Sequence, residues 1–402
     1  MELHEFILQH ENDDTAALVL ARDRWPGVDV ALAAACIEAR RKLRDKVPEW
    51  YADPRLVFPS PLGAEQCSST VTARFKARIA AEAAGPLGRI ADLTAGLGVD
   101  SWQFSLVAGE VLCNEMQPVL HEAAKRNFAL LGCGNVRFSR TEVTPENIAS
   151  VLDAFSPSLV FMDPARRSGG RKVYRLQDCS PDVLALKDAV LERCPLFLKL
   201  SPMADISLIC KELGQVREMW AVQSGGECRE LLALLVPGFS GDCRITAADA
   251  GGGASLSFFP AEERDAQAQA VTSVNDIRGF LFEPGPALMK AGAFRLPCAR
   301  FGLKGLGGGC HYYLSDSPLQ EPGGLGKWFR IEKAAPFGKA AMKEFAALWP
   351  DAEVTSRAMP LSSDELRSRM KVRCGGPVHI FALGTAAGRL LISASRCFQA
   401  PH

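Results

Sequence analysis

The chain has 402 residues, of which 48% are hydrophobic and 23% charged, and its 46 basic residues balance its 46 acidic ones. This length exceeds one ordinary core and predicts two or three domains, and the composition excludes a disordered or fibrous protein. A net charge of zero argues against a protein that coats nucleic acid through bulk positive charge, although it leaves room for a local basic patch.

Membrane, secreted and zinc-bound classes are not expected either. No apolar run approaches the 18 residues of a membrane span. The N-terminus, MELHEFILQHENDD, is acidic and lacks the basic start and apolar centre of a signal peptide. The thirteen cysteines are scattered without a C-x-x-C pair. We therefore expect a cytoplasmic protein with reduced thiols, no membrane segment and no metal.

The first 85 residues predict a helical region. Segments 15–20 and 31–42 are rich in good helix formers and are separated by a break at Trp25-Pro26-Gly27. Four prolines between residues 48 and 61 predict an extended connector. A further helix over residues 73–84 is preceded by serine and threonine N-cap candidates and ends at Gly85-Pro86.

From residue 89 the pattern alternates between strand and helix. The predicted strands are 89–93, 110–114, 136–139, 159–162, 196–200, 216–222 and 229–236. The predicted helices are 99–107, 118–131, 145–155, 181–193 and 204–213. This alternation predicts a doubly wound parallel sheet, and the last two strands, joined through Gly225-Gly226, predict an antiparallel hairpin.

The rest of the chain is punctuated by glycine. Gly251-Gly252-Gly253 predicts a β-hairpin within residues 241–276, and a third region begins near residue 277. Residues 323–402 alternate strand, helix and strand. These residues hold twelve basic and six acidic side chains, so they carry a charge of +6 and the remaining 322 residues carry −6. A basic patch at the C-terminal end is thus compatible with a neutral total.

The strongest local signal is DLTAGLGVD, residues 92–100, between the first predicted strand and the next helix. Glycines in such a loop let a ligand approach the backbone. The third glycine of the dinucleotide fingerprint is missing, and Asp92 is poorly suited to a pyrophosphate. An acid in this place suits a ligand with a cationic amine.

Polar residues also follow the next three predicted strands. Glu115 ends the second strand, where an acid can accept both hydroxyls of a ribose. Thr141-Glu142 follows the third strand, where an acid or a neighbouring amide can reach an adenine amino group. Asp163-Pro164-Ala165-Arg166 follows the fourth strand. Open α/β sheets bind ligands at the carboxyl ends of their parallel strands, and all of these residues are expected there.

As a set, these residues resemble the class I S-adenosylmethionine-dependent methyltransferases over residues 86–236. The resemblance implies a Rossmann-like α/β sheet and S-adenosyl-L-methionine as the cofactor. The cofactor contacts that we expect from it come from Asp92, Thr94, Ala95, Gly96, Gly98, Asp100, Glu115, Met116, Thr141, Glu142 and Asp163. Gln66 and Ser68 precede the first strand and have two open interpretations, a cofactor contact or the capping of a helix by Ser68 or Ser69.

The substrate end of the site is expected at Asp163-Pro164-Ala165-Arg166. It is similar to the D-P-P-aromatic loop of enzymes that methylate base amines, but the second proline and the aromatic are absent. Asp163 is expected to orient a nucleophilic nitrogen or take its proton, with the Pro164 carbonyl as a second acceptor. Arg166, Arg167 and Arg171 are expected to grip substrate phosphate, with Lys172 and Arg175 in the same basic run. Lys199 has two open interpretations, a substrate contact or a partner of Asp163.

Four further stretches narrow the resemblance to bacterial methyltransferases with a C-terminal THUMP-like domain: residues 65–69 (EQCSS), 163–167 (DPARR), 199–203 (KLSPM) and 283–294. This resemblance implies small α+β modules in the C-terminal part of the chain. The expected domains are an N-terminal helical region 1–85, the cofactor domain 86–240, a hairpin and linker 241–276, a ferredoxin-like module 277–322 and a THUMP-like domain 323–402.

The function that we predict is methyl transfer to RNA, because THUMP domains bind RNA in enzymes that modify transfer RNA. Two alternatives stay open: a catalytically inactive protein that binds the cofactor and RNA, and a methyltransferase that acts on a protein or a small molecule.

Overall fold

A computed structural model describes residues 1–166 and 176–397. The chain divides into two compact units. Unit 1 comprises Met1–Met219 and Glu230–Gly241, and unit 2 comprises Trp220–Arg229 and the chain from Asp242 onward. Each unit has its own hydrophobic core, so each is described separately.

Unit 1 begins with helices and continues as alternating strands and helices. Its helices are α1 (Leu3–Gln9), α2 (Thr15–Leu20), α3 (Val30–Leu43), α4 (Pro48–Tyr51), α5 (Pro61–Gln66), α6 (Thr70–Ala84), α7 (Val99–Ser105), α8 (Pro118–Leu130), α9 (Ile148–Phe155), α10 (Val183–Leu191) and α11 (Ile206–Leu213). Its strands are β1 (Arg89–Asp92), β2 (Glu110–Asn114), β3 (Val136–Ser139), β4 (Leu159–Met162), β5 (Ala165–Arg166), β6 (Cys179–Ser180), β7 (Leu196–Leu200), β8 (Val216–Ser224) and β9 (Glu227–Leu235). The outer end of β8 and the start of β9 belong to unit 2.

The large sheet of unit 1 has the order β8-β9-β7-β4-β1-β2-β3. The pairs from β7 to β3 are parallel, whereas β9 runs antiparallel to β7. The apolar strand β4 is buried over its whole length, as expected for a strand covered on both faces. The chain leaves β1 toward β2 and β3 and later returns to β4 on the other side of β1. The carboxyl ends of β1 and β4 therefore flank a topological switch point, where such sheets bind ligands.

The N-terminal helices share a core with the helices around the sheet. Trp50 and Phe58 are fully buried, and they lie in one apolar cluster with Trp102 of α7 and Phe128 of α8. The Trp50 ring lies 5.7 Å from that of Phe58 and 5.5 Å from that of Trp102. The helical residues 1–85 thus pack within the same compact unit as the sheet.

Caps account for the differences between predicted and observed elements. The segment predicted as extended from residue 48 contains α4, which starts at Pro48 because proline suits the first helical position. The helix predicted from Pro181 starts at Val183, since the Asp182 side chain accepts from the N–H groups of Leu184 and Ala185. The helix predicted from residue 145 starts at Ile148, after a turn in which the Asn147 side chain accepts from the N–H of Thr144.

Unit 2 is mostly β-structure. Its helices are α12 (Pro260–Asp265), α13 (Pro286–Ala291), α14 (Leu296–Phe301), α15 (Lys339–Leu348) and α16 (Ser363–Met370). Its strands are β10 (Arg244–Asp249), β11 (Ser255–Phe258), β12 (Phe280–Pro284), β13 (Lys304–Gly307), β14 (Cys310–Ser315), β15 (Gly326–Pro336), β16 (Asp351–Arg357), β17 (Arg373–Thr385) and β18 (Gly388–Arg396).

Strands β10 and β11 form the antiparallel hairpin that the glycine triplet predicted. The remaining strands form a seven-stranded sheet of order β13-β14-β12-β15-β18-β17-β16. Phe329 and Phe381 lie in one apolar cluster of this sheet, whereas Phe345 of α15 and Leu366 of α16 lie in a second. No helix within residues 1–166 and 176–397 is long and apolar enough to cross a membrane.

Candidate functional site

The glycine loop between β1 and α7 is held by side chains at the ends of neighbouring strands. The N–H of Thr94 donates to Asp92 Oδ1 at 3.1 Å, and the N–H of Gly96 donates to Glu115 Oε2 at 2.9 Å. Thr94 Oγ1 in turn accepts from the N–H of Asp163 at 2.6 Å. The ends of β1, β2 and β4 thus converge on this one loop.

Glycine is needed at two positions of the loop for different physical reasons. Gly98 has φ +91°, and a Cβ there would lie 2.8 Å from the Phe128 ring, so the loop packs tightly against α8. Gly96 has φ +58° but open space where its Cβ would be. The backbone at Gly96 is therefore open to a ligand, as the glycine pattern predicts.

Asp92 is a buried carboxyl at the centre of the loop. Besides the Thr94 N–H, it accepts from Ser101 Oγ at 2.5 Å. Burial raises the pKa of Asp92 to about 7; the hydrogen bond from Ser101 opposes this shift, and the nearby Asp100 carboxylate adds to it. An approaching cation would stabilise the ionised form, so the site suits a positively charged group.

The end of β2 supplies Glu115 and Met116. Each Glu115 oxygen already accepts one backbone N–H, from Gly96 and from Gln117, and each keeps a further lone pair for another donor. Glu115 is buried, whereas the Met116 side chain next to it is 53% exposed. A carboxylate beside an exposed thioether suits a ligand with hydroxyls and an apolar ring.

Asn114 was missed from the sequence, although it joins three segments. Its side-chain amide donates to the carbonyls of Leu93 and Thr141, and its Oδ1 accepts from the N–H of Thr141. It thereby fixes the loop after β3 relative to the glycine loop. Thr141 is half-buried, and Glu142 is exposed at the edge of this loop. A polar residue directly before Glu115 in a buried strand was the signal available in the sequence.

The end of β4 brings Asp163 next to Lys199 of β7. Lys199 Nζ contacts Asp163 Oδ2 at 2.5 Å, so the structure favours the interpretation of Lys199 as the partner of Asp163. Burial alone would lower the pKa of Lys199, but the carboxylates of Asp163, Glu230 and Asp100 outweigh burial and raise it. Lys199 is therefore a fixed cation, unsuited to act as a base at neutral pH.

The remaining substrate residues are less fully described. Ala165 and Arg166 pair through their backbones with Ser180 and Cys179, directly after Pro164. Arg167, Arg171, Lys172 and Arg175 lie outside the described residues.

The two interpretations of Ser68 are separated by the cap of α6. Ser69 caps α6 by accepting from the N–H of Thr72, so Ser68 is left to donate to Asp100 at 2.7 Å.

Beneath the loop lies a charged cluster that sequence reasoning did not find. Lys76 of α6 is fully buried and contacts Glu230 at 2.9 Å and Asp100 at 3.2 Å. Apart from this ion pair with Lys76, Asp100 Oδ1 has no hydrogen-bond donor among the described residues. The signal available was a lysine within the apolar face of a helix. The carboxylates of this cluster add negative charge below the glycine loop.

These features fit the methionine part and the ribose of S-adenosylmethionine. The open backbone at Gly96 admits a ligand, the Asp92 carboxyl suits a cationic amine, and Glu115 suits hydroxyls. When bound, this cofactor supplies an electrophilic methyl group on a sulfonium.

Comparisons with known proteins agree with this chemistry. Residues 280–321 match a ferredoxin-like domain family, and residues 326–396 match a THUMP domain-like family. Two relatives from Mycobacterium tuberculosis strains, CDC 1551 and H37Rv, are named uncharacterized S-adenosylmethionine-dependent methyltransferases. Each is 25% identical over 332 residues, which cover 81% of this chain and 84% of the relative.

A crystal structure of a proposed methyltransferase from Porphyromonas gingivalis W83 is similar over almost the whole chain. It is 27% identical, the match covers 99% of this chain and 98% of that one, and the TM-score is 0.84. The predictions of an S-adenosylmethionine-dependent methyltransferase and of its fold class are thereby confirmed. The chain is a relative of these methyltransferases and carries a ferredoxin-like and a THUMP-like domain in its C-terminal part.

Proposed function

We propose that the protein transfers the methyl group of S-adenosylmethionine to a nitrogen atom in RNA. The observation that carries the proposal is the convergence of Asp92, Glu115 and Asp163 on one glycine loop at the switch point of the sheet. The THUMP-like match in residues 326–396 supports RNA as the substrate, since THUMP domains occur in enzymes that modify RNA.

The proposed cofactor contacts follow from the geometry of the loop. Asp92 and Asp100 face the cationic amine, the backbone from Thr94 through Ala95 and Gly96 to Gly98 lines the methionine part, and Glu115 accepts the ribose hydroxyls. Met116 packs against the adenine, while Thr141 and Glu142 meet its polar edge. The carboxylates of Asp92, Asp100 and Glu115 are buried and already oriented by hydrogen bonds, so these groups need little ordering when the cofactor binds.

The proposed chemistry assigns the proton to Asp163. The carboxylate accepts the hydrogen of the attacking nitrogen, and the Pro164 carbonyl serves as a second acceptor. Lys199 holds the Asp163 side chain in one orientation through its contact with Oδ2. Positioning and exclusion of water then supply most of the catalysis, because the sulfonium is already a good leaving centre.

The substrate contacts are proposed from the chemistry of phosphate. Arg166, Arg167 and Arg171, directly after the Asp163 loop, would bind the RNA backbone near the reacting base. All twelve basic side chains of residues 323–402 are exposed or half-exposed, so that region can offer phosphate contacts as well. These contacts would position the RNA without reading its sequence.

A methyl-transfer assay tests the proposal. The purified protein is incubated with S-adenosylmethionine carrying a tritiated methyl group and with total RNA from a strain that lacks this gene, in which its sites are unmodified. We expect label in RNA with the wild type and none with Asp163→Ala. Label in protein or small molecules instead would refute RNA as the substrate. Cofactor and RNA binding without any transfer would refute the enzyme and favour a binding protein.

A further inference from the structure

The buried ammonium of Lys76 has no role in the chemistry described so far. Its Nζ lies 2.9 Å from both carboxylate oxygens of Glu230, 3.0 Å from Ser68 Oγ and 3.2 Å from Asp100 Oδ1. Ser68 Oγ also donates to Asp100 Oδ2. The Lys76 side chain has no exposed surface. The helix α6 thus places a buried amino group beside Asp100, at the end of the glycine loop.

Stability alone gives no reason for such a cluster. Removing two charges from water carries a large desolvation penalty, and well-packed apolar side chains in place of a buried ion pair are often neutral or stabilising. Loss of only one partner is costly, because it leaves an uncompensated charge inside the protein. The cluster is therefore best examined for what its charges do to their neighbours.

Glu230 connects Lys76 to the site. In the antiparallel pair of β7 and β9, Lys199 lies opposite Leu232. Glu230, two residues before Leu232, is then a diagonal neighbour of Lys199 on the same face of the sheet. Burial raises the pKa of Glu230, and the ammonium groups of Lys76 and Lys199 both oppose that shift. Glu230 thus lies in the electric field of both lysines.

The cluster has fewer cations than anions, so the loss of either lysine matters. Three carboxylates, Asp100, Glu230 and Asp163, face only two ammonium groups, those of Lys76 and Lys199. Lys76 compensates the buried pair, Asp100 and Glu230, which leaves Lys199 for Asp163. Without Lys76, Lys199 remains, in the described part of the chain, as a cation on which both Glu230 and Asp100 act. These buried carboxylates need compensation more than the half-exposed Asp163 does.

We propose that Lys76 is a positioning residue for methyl transfer: by compensating Glu230 and Asp100, it leaves the Lys199 ammonium on Asp163. This inference rests on the proposed function. In the step concerned, the lone pair of the substrate nitrogen forms the new N–C bond as the S–C bond breaks. The bonding electrons stay on sulfur, and the proton of the nitrogen passes to Asp163. Lys76 acts on this step only through Lys199.

The direct test is a crystal structure of Lys76→Met. We expect Lys199 Nζ to leave Asp163 by more than 4 Å and to contact Glu230. Lys76→Gln removes the charge but keeps a donor for Ser68, and it serves as the second variant if the first does not fold; we expect the same movement. Lys199 still within hydrogen-bond distance of Asp163 in the folded variant would overturn the inference.

Kinetics separate positioning from general destabilisation. With the labelled cofactor and RNA from the deletion strain, we expect Lys76→Met to lower kcat by about 30-fold with little change in KM. Lys76→Met combined with Glu230→Gln removes one charge of each sign and should recover kcat to within about fivefold of the wild type. Equal losses in the single and the double variant would contradict the charge argument.

Arg40→Met is the matched control for loss of a buried cation. Arg40 is 2% exposed and donates to the carbonyls of Tyr51 and Asp53 in the helical region. The variant Arg40→Met should lower the melting temperature of the protein and leave kcat for methyl transfer unchanged. A wild type that transfers no methyl group to RNA would refute the proposed function, and the crystal structure of Lys76→Met would still decide the position of Lys199.

Discussion

The two units of the molecule treat charge in opposite ways. Among its described residues, unit 1 buries seven Asp, Glu, Lys and Arg side chains: Arg40, Lys76, Asp92, Asp100, Glu115, Glu218 and Glu230. In the described part of unit 2, the buried polar side chains are Gln223, Thr246, Ser356 and Ser393, none of which is charged. Unit 2 keeps its charges at the surface, although its C-terminal part carries an excess of +6.

If the proposed function holds, this difference predicts that the reaction depends on unit 1 and the attachment of RNA on unit 2. A charge in a low-dielectric interior acts strongly on its neighbours and is screened little by salt, whereas an exposed charge acts weakly and is screened. Three of these side chains lie in or against the glycine loop: Asp92 and Asp100 belong to residues 92–100, and Glu115 accepts from the N–H of Gly96. Variants there should change the reaction at any salt concentration, and variants on unit 2 should change salt-dependent binding.

The largest expected effect is that of Asp163→Asn. The amide keeps the shape of the side chain but cannot accept a proton, so we expect kcat for methyl transfer to fall by about 10³-fold. The backbone N–H of residue 163 still donates to Thr94, so the loop should stay in place. Single-turnover transfer from labelled cofactor measures the loss.

Asp153→Asn is the control for Asp163→Asn. Asp153 is exposed on α9 and pairs with Arg193 at 2.8 Å, outside the loop. Its replacement should leave kcat unchanged. Equal activity of both variants would remove Asp163 from the chemistry.

Gly96→Arg should abolish cofactor binding. The side chain would occupy the open space at Gly96, and we expect affinity for S-adenosylmethionine to fall by at least about 100-fold. Gly132→Arg is matched to it, because Gly132 has φ +73° and equally open space but lies in the loop after α8. Calorimetric titration should show binding in the control alone. Retained binding in Gly96→Arg would place the cofactor elsewhere.

Much of this site could be predicted from sequence, because its acids directly follow strands. Asp92, Glu115 and Asp163 stand where parallel strands end, and strand order brings such ends together. Lys76 and Glu230 could not be paired in this way. They are 154 residues apart, on a helix and on an antiparallel strand, and only tertiary packing joins them.

The ends of helices that are set by capping side chains are also hard to predict from sequence. Asp182 was predicted within a helix, but its carboxylate accepts from the N–H groups of Leu184 and Ala185, so the helix begins after it, at Val183. The residues on either side of Asp182 do not indicate whether the helix begins before or after it. Asn114 is a further case, because its amide joins two loops that are distant in sequence.

The pH dependence of stability tests the burial of Asp92. Its pKa is about 7 in the folded protein and 3.8 ordinarily, so between these values the folded state binds more protons than the unfolded state. Stability from this group is therefore lost as pH rises from about 4 to 7. Asp92→Asn does not titrate, so its stability relative to the wild type should increase by about 2 kcal/mol from pH 5 to pH 8.

Urea unfolding at the two pH values measures this change. In Asp153→Asn the difference from the wild type should stay flat, because Arg193 holds the pKa of Asp153 below its ordinary value, outside this range. A flat difference for Asp92→Asn as well would mean that Asp92 does not titrate between pH 5 and pH 8.

The smallest expected effect belongs to the exposed cations of unit 2. Replacing Arg330, Lys343 and Arg389 by alanine removes three side chains that lie at the surface of the THUMP-like region. If they contact phosphate, RNA affinity should fall by about tenfold at low salt, and the slope of log affinity against log salt should fall by about one per lost contact. Filter binding over a salt series measures both.

Arg55, Arg74 and Arg193 of unit 1 are the matched set, since alanine there removes the same charge from the other unit. An equal loss of affinity in both sets would mean that RNA responds to net charge alone. A loss confined to unit 2, with single-turnover transfer at saturating RNA unchanged, would assign attachment to exposed charge and chemistry to buried charge. A lower rate of single-turnover transfer at saturating RNA in the unit 2 variant would contradict this assignment. Exposed and screened side chains would then act on the reaction itself.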